Sequence, residues 1–287
     1  MGTRQADGVL LVDKPAGVTS HDVVAAARRA LGVRRIGHAG TLDPFATGLL
    51  VLLVGRATRL LPYVEGEPKV YEATIRFGAE TTTDDATGDV TVRAPLPARD
   101  AVERGMTALT GTLDQLPPAF SAKKVGGRRA YDAARRGEAI ALAPARVRVD
   151  RWELRAWRLD EIDVTITCGA GTYIRALARD LGRLAGSAAH LTALRRVRSG
   201  PFTVSDAASL DDVRAGRATL RPVLDAMPSL PVERIDEPAL VRVARGQDVP
   251  ATSLAPRAAL VDPDGAVVAI GERRGERWQP RVVLRDA

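Results

Sequence analysis

The chain is short of thiols, imidazoles and lysines, and it has no long apolar run. One cysteine, Cys168, permits no internal disulfide, and three scattered histidines with one thiol cannot assemble the usual structural zinc site, so no metal is expected. The apolar run nearest the N-terminus, Val9 to Val12, is too short for a signal-peptide core or a membrane span, which predicts a cytoplasmic protein without a membrane partner. There is no internal repeat and no low-complexity tract. Only four of the 42 basic residues are lysines, namely Lys14, Lys69, Lys123 and Lys124. Genomic base composition accounts for that bias, since alanine is also abundant. The surviving lysines still draw notice, because a compact ammonium and a planar guanidinium are not interchangeable.

What is present is an ordinary globular composition of 287 residues, enough for one large domain and a small one. Basic residues exceed acidic ones by 42 to 35, a net charge of +7 with a pI near 10.1, which favours a polyanionic partner without identifying it.

The stretch Gly8 to Pro15 reads as a short buried strand stopped by its proline, with Lys14 just past the strand's end. Thr19 or Ser20 then caps a helix with Asp22 in its first turn, Val23, Ala27 and Leu31 on one face, and Gly32 at its end. Arg28, Arg29, Arg34 and Arg35 are either a solvated face or a phosphate-contacting patch.

The next stretch, Gly37-His38-Ala39-Gly40-Thr41-Leu42-Asp43-Pro44-Phe45-Ala46-Thr47-Gly48, reads as a shaped loop leading into the buried run Leu49 to Val54. Asp43 in such a loop is a nucleophile, a base, or the opener of a turn before Pro44. Alternation over Val70 to Phe77 points Tyr71, Ala73, Ile75 and Phe77 inward, with Tyr71 either a core residue or a ring for stacking on an extruded base. Glu80 to Asp89 reads as a polar surface loop, and Asp100 to Leu109 as an amphipathic helix. From Leu116 to Tyr131 the chain is basic and broken by glycine, with Phe120 and Tyr131 interleaved, a composition suited to RNA or simply to solvent.

Val147 to Leu154 and Ile162 to Cys168 read as strands, with Cys168 in the core. Gly169-Ala170-Gly171 fails as a dinucleotide loop, because Ile174 stands where a third glycine belongs and Asp180 follows too soon. A helix capped by Thr172 is the better reading. It puts Arg175 in the first turn, where the helix dipole disfavours a cation and a nearby anion is the natural compensation. After Pro222 the prolines and short apolar pieces suggest a linker and a small β-rich module, with Ala258 to Val261 and Ala266 to Ile270 as a hairpin.

Taken together, the motif Gly37 to Gly48, the run Lys69-Val70-Tyr71, the run Gly171-Thr172-Tyr173-Ile174-Arg175 and the segment His190 to Phe202 closely resemble, in that order, the TruB family of tRNA pseudouridine-55 synthases. The resemblance covers Val9 to about Ser209, and more loosely the tail. It implies an α+β pseudouridine synthase fold, with a mixed, mostly antiparallel sheet, flanking helices and a central active-site cleft. It implies a catalytic domain over 1–221, with an RNA-gripping insertion at about 117–145, and a PUA-like RNA-binding domain over 222–287. It makes Asp43 the catalytic residue and Arg175 its partner, with Tyr71, His38, Lys14, Tyr173 and Leu191 supporting the site and His190 structural. Lys123, Lys124, Arg128, Arg129, Arg195 and Arg196 become RNA contacts. The expected partner is the T-arm of tRNA, with no cofactor, no protein partner and a monomeric state. A noncatalytic RNA-binding module is the rival reading, and Asp43 speaks against it, because an acid repels an anionic ligand. A relative working inside a guide-RNA complex is less favoured, since such a chain is expected to carry long basic extensions.

Overall fold

The computed structural model describes residues 7–120, 124–125, 128–129 and 142–285. In chain order the elements begin with strand β1 (Gly8–Lys14), helix α1 (Ser20–Leu31), β2 (Ile36–His38) and β3 (Thr47–Val54), followed by a 3-10 helix over Gly55–Tyr63. Next come β4 (Lys69–Phe77), β5 (Ala79–Thr81), β6 (Val90–Arg93), α2 (Arg99–Ala108), β7 (Gly111–Gln115) and the short pair β8 (Lys124–Val125) and β9 (Arg128–Arg129). Then follow β10 (Ala145–Trp157), β11 (Glu161–Cys168), α3 (Ile174–Leu184), β12 (Ala189–Ser199), β13 (Phe202–Thr203), β14 (Ala208–Ser209) and α4 (Leu210–Arg214). The chain closes with β15 (Val232–Arg234), α5 (Glu237–Ala244), β16 (Val249–Pro250), β17 (Arg257–Val261), β18 (Val267–Arg274) and β19 (Arg277–Val283). None of the described helices is long and apolar enough to cross a membrane.

Two compact units divide these elements. One comprises residues up to Asp43, Leu49–Gly66 and Gly200 onward; the other comprises Pro44–Gly48 and Glu67–Ser199.

In the first unit β1 lies between β14 and β3, and β2 pairs antiparallel with β3. Because side chains alternate along a strand, β1 and β3 feed two cores. Leu10, Val12, Leu50, Leu52 and Val54 pack with Val23, Val24 and Ala27 of α1 and Leu210 and Val213 of α4. On the opposite face Val9, Leu11, Leu49, Val51 and Leu53 join Phe202, Met227, Ala259, Ile270 and Leu284. The C-terminal sheet, in the order β15-β17-β18-β19-β16, is covered on its other side by α5 through Leu240 and Val243 against Leu260 and Trp278. Where the sequence suggests a break at 222, the structure has the C-terminal strands and the N-terminal strands burying one common core.

In the second unit the strands run β12-β4-β11-β10-β7, antiparallel throughout, and Thr47 and Gly48 add a short parallel pairing to Arg195 and Arg196. Tyr71, Ala73, Ile75 and Phe77 do face inward, with Ile162, Val164 and Ile166 beside them and Leu177 and Leu181 of α3 also buried. Each fully buried aliphatic side chain contributes about 1.5–3 kcal/mol, so this face holds the unit together.

Four local expectations are corrected. Lys14 is inside β1 rather than beyond it. The strand expected over Val147 to Leu154 runs from Ala145 to Trp157. Thr172 does not cap α3; Tyr173 precedes the helix, and Gln115, reaching over from β7, takes its backbone N–H at 2.8 Å and donates to its carbonyl at 3.0 Å. The polar stretch Glu80 to Asp89 is not a plain surface loop, because it contains β5 and buries Glu80, Thr81, Asp84 and Asp85.

Gly48 sits at φ +101°, and a Cβ there would lie 2.3 Å from the carbonyl oxygen of Arg196. Both the backbone angle and the contact forbid a side chain. Gly48→Ala is expected to lose at least about 2–3 kcal/mol in urea unfolding.

Candidate active site

The candidate residues fall in both units. In the first, the loop carrying Asp43 leaves β2 at His38 and is fixed at several points. The Ala39 N–H donates to the Val51 carbonyl at 2.9 Å, and the Gly40 N–H reaches His38 Nδ1 at 3.4 Å. His38 is thus engaged by its own loop. Thr19 and Asp22 form the reciprocal cap of α1: the Thr19 hydroxyl accepts the Asp22 N–H at 3.0 Å, and the Asp22 carboxylate accepts the Thr19 N–H at 2.8 Å. That frees Ser20 for a different task. Its buried hydroxyl accepts the Leu42 N–H at 2.9 Å and donates to the Leu42 carbonyl at 3.0 Å, pinning the residue before Asp43 across 22 positions of sequence. Asp43 itself stays partly exposed. Lys14 is fully buried, with Nζ donating to the carbonyls of Pro15 at 2.9 Å and Val18 at 2.8 Å. Its position suits support of the loop, since no phosphate can reach a lysine with no exposed surface.

In the second unit Tyr71 is buried, opposite Ile166 on one side and Arg196 on the other. Arg196 is only 2% exposed, which removes it from the surface cations expected to meet RNA; it belongs to the inward face with Tyr71. Leu191 is likewise fully buried opposite Ile75, whereas Leu194 pairs with Ala73, one step nearer Tyr71. The two leucines lie on the same strand, and Leu191 is the deeper. Near the end of the sheet Lys69 pairs with Cys168. Burial, helped by Arg196, holds the Lys69 amine below its usual range, and burial pushes the Cys168 thiol up to about 11, which leaves it no nucleophile. His190 is buried with Nδ1 2.8 Å from the Ala79 carbonyl, a structural role.

Arg175 occupies the first turn of α3 and is 4% exposed. Its guanidinium donates to the carbonyls of Thr83 and Phe120, both at 2.8 Å, and lies 3.7 Å from Asp85 Oδ2. The anion demanded by a cation at a helix start is therefore supplied in part by Asp85, from the stretch that reads as a surface loop. One turn later Arg179 binds Asp84 at 2.9 Å, and a turn further Arg183 holds both oxygens of Glu80 at 2.6 and 2.7 Å. Burial pushes the Asp84 carboxyl up, against the pull of Arg179 and Arg175. Asp84, Asp85, Gln115, Arg179 and Ser20 escaped the sequence reading. Arginines four apart at 175, 179 and 183 were the available signal.

Lys123, Lys124, Arg128 and Arg129 carry no described side chains. Arg195 lies on the opposite, outer face of the sheet, where a cavity of about 670 Å³ is lined by Phe45, Glu72, Thr74, Asp163 and Thr192 among others. That cavity mixes both charges and sits across the sheet from Tyr71. Among the described residues no three His, Cys, Asp or Glu side chains converge as metal ligands.

A family model described as TruB family pseudouridylate synthase (N terminal domain) matches residues 28–174, and one described as tRNA pseudouridylate synthase B C-terminal domain matches 175–233. Proteins called tRNA pseudouridine synthase B from Thermobifida fusca (strain YX) and Mycobacterium tuberculosis (strain ATCC 25618 / H37Rv) are 49% and 46% identical, over 97% and 98% of this chain and 99% and 96% of theirs. Among solved structures, a Cbf5-Nop10-Gar1 complex matches with a TM-score of 0.71 at 25% identity, covering 97% of this chain and 85% of that one. An archaeal box H/ACA sRNP Nop10-Cbf5 complex matches with a TM-score of 0.70 at 24% identity, covering 97% and 86%. The mixed, mostly antiparallel sheet and the β-rich C-terminal part are those of the pseudouridine synthase fold, a class of isomerases. The chain belongs to the TruB family of pseudouridylate synthases.

Ser20→Ala would leave both backbone groups of Leu42 without their partner. An unfolding titration should show a loss of about 1–3 kcal/mol, whereas a loss below a few tenths would mean the Leu42 contact carries no weight.

Proposed function

We propose that this chain converts uridine 55 in the T-loop of tRNA to pseudouridine, with Asp43 as the catalytic carboxylate and Arg175 as its partner. The observation that carries the reading is the intact motif Gly37 to Gly48 in a chain whose full-length relatives are called tRNA pseudouridine synthase B. The PUA-like C-terminal module, a monomeric state and a cytoplasmic location belong to the same proposal. One of the Cbf5 structures holds Nop10 and Gar1 and the other holds Nop10; this chain needs no protein partner.

The reaction breaks the bond between uracil N1 and ribose C1′, turns the base, and joins C5 to C1′. The C5 proton is lost and N1 gains one, so nothing is oxidised or reduced and no cofactor is needed. Reaching the bond requires extruding the base from a folded RNA, at a cost of a few kcal/mol in lost stacking. Tyr71 and Leu194 form the walls that repay it, in place of the buried Leu191, with Phe45 as a further apolar side chain of the motif. His38, already tied to its loop, fills the space the nucleotide leaves, and Tyr173 fixes the start of α3 beside Arg175. Arg175 maintains the charge and aim of the carboxylate. Asp43 then attacks C6, attacks C1′, or removes a ribose proton, and each of the three routes starts from an anion. Lys123, Lys124, Arg128, Arg129 and Arg195 meet the phosphates.

The test is tritium release from tRNA carrying 5-tritiated uridine. Wild type should release tritium and Asp43→Asn essentially none, with tRNA affinity held within about threefold. Equal release by both would remove Asp43 from the mechanism, and release by neither would favour a noncatalytic RNA-binding module.

A further inference from the structure

Helix α3 presents Arg175, Arg179 and Arg183 four residues apart, on one face, toward a single short segment that supplies Asp85, Asp84 and Glu80. The three pairs are not equivalent. The Arg183 side chain is 56% exposed, so its ion pair is ordinary surface chemistry. Arg179, at 8%, is enclosed and spreads its guanidinium over three partners: Asp84 Oδ2 at 2.9 Å, Asp180 Oδ1 at 3.0 Å and the Leu116 carbonyl at 2.9 Å. One turn up, Arg175 bonds the Thr83 and Phe120 carbonyls. The two arginines therefore fasten the same two segments, 83–85 and 116–120, to the same helix.

The Asp84 backbone makes that fastening necessary. Among the described residues it is the one non-glycine at positive φ, 59°. That conformation persists only where the surroundings impose it. The impositions are visible: its N–H donates to the Thr81 carbonyl at 3.2 Å, its carbonyl accepts the Leu191 N–H at 3.1 Å, and its carboxylate is held by Arg179. The turn thereby sets the direction of the next residue. Asp85 Oδ1 is occupied by the Thr83 hydroxyl at 2.7 Å and by the Thr87 N–H and hydroxyl at 2.9 and 2.5 Å, while Oδ2 faces Arg175.

We propose that Arg179 is a positioning residue for the isomerisation: by holding Asp84 in its turn and Leu116 at the exit of β7, it keeps Asp85 and the Phe120 carbonyl where they fix the Arg175 guanidinium. Arg179 touches no reacting atom and acts through Arg175. The inference rests on the reading of Arg175 as the cation that serves Asp43. Its guanidinium cannot be replaced by a neutral group of similar length, since only a fork of donors reaches a carboxylate and a carbonyl at once.

The test uses the full chain with Arg179→Met, Asp84→Asn and the double variant, each checked for an intact melting transition. Single-turnover tritium release and tRNA affinity are measured on the same samples. Each single variant should slow release by about 10- to 100-fold and leave tRNA affinity within about threefold. The double variant should be no slower than the worse single one, because residues that act as a unit are not additive. Arg179→Lys, which restores charge but not the fork, should recover only part of the rate. Should Arg179→Met not fold, Asp84→Asn alone decides, since it keeps the volume and the hydrogen-bond acceptor. A wild-type rate in folded variants, or a loss that tracks only the folded fraction or tRNA affinity, would overturn the proposal. An inactive wild type would instead sink the functional reading on which it depends.

Discussion

A guanidinium that can neither lose its proton nor reach water has to be met by acceptors, and α3 buries two of them in consecutive turns. Much of the second unit follows from that demand. The segment after β4 must bring carboxylates and carbonyls to the helix, so it folds back through β5 and adopts a strained turn at Asp84 instead of spreading into solvent. The chain leaving β7 must bring the Leu116 and Phe120 carbonyls to the same place. Breaking such a pair by removing one partner typically costs about 3–5 kcal/mol, which is why the turn holds although its sequence is polar.

Each unit is held by well-packed strands. In the first unit β3 is apolar on both faces because it is covered on both, by α1 on one side and by the C-terminal strands on the other. In the second, β4 alternates because only its inner face is covered by the core, and Glu72, Thr74 and Arg76 are left outside. Gly48 is where a strand must approach Arg196 more closely than any side chain allows. The Asp43 loop draws its order from the same economy of local bonds: Thr19 completes the cap of α1, so Ser20 can turn to Leu42.

How much of this could be read from residues alone depends on whether the deciding partner was near in sequence. Helix α1 was legible because its cap, apolar period and terminal glycine all lie within 14 residues. The alternation of β4 and the inward Tyr71 were legible for the same reason. Gln115 meeting Tyr173 spans 58 positions and Arg179 meeting Asp84 spans 95, so neither leaves a local trace; the run Thr81 to Asp89 looks like solvated turn chemistry until its arginines are in place. The boundary at 222 rests on proline punctuation, which marks short elements as readily as linkers, and residues on both sides of it share one core. The proposed pairing of Asp43 with Arg175 comes from the TruB resemblance; no spacing argument joins them.

The proposed function converges on one carboxylate served by one enclosed guanidinium. The direct check is a crystal structure of the protein bound to a T-arm stem-loop RNA. The extruded uridine should lie against Tyr71, with the Asp43 carboxylate within about 3 Å of both the nucleotide and the Arg175 guanidinium. A complex in which Asp43 faces solvent or a phosphate, with Arg175 satisfied by Asp85 and the two carbonyls alone, would contradict it.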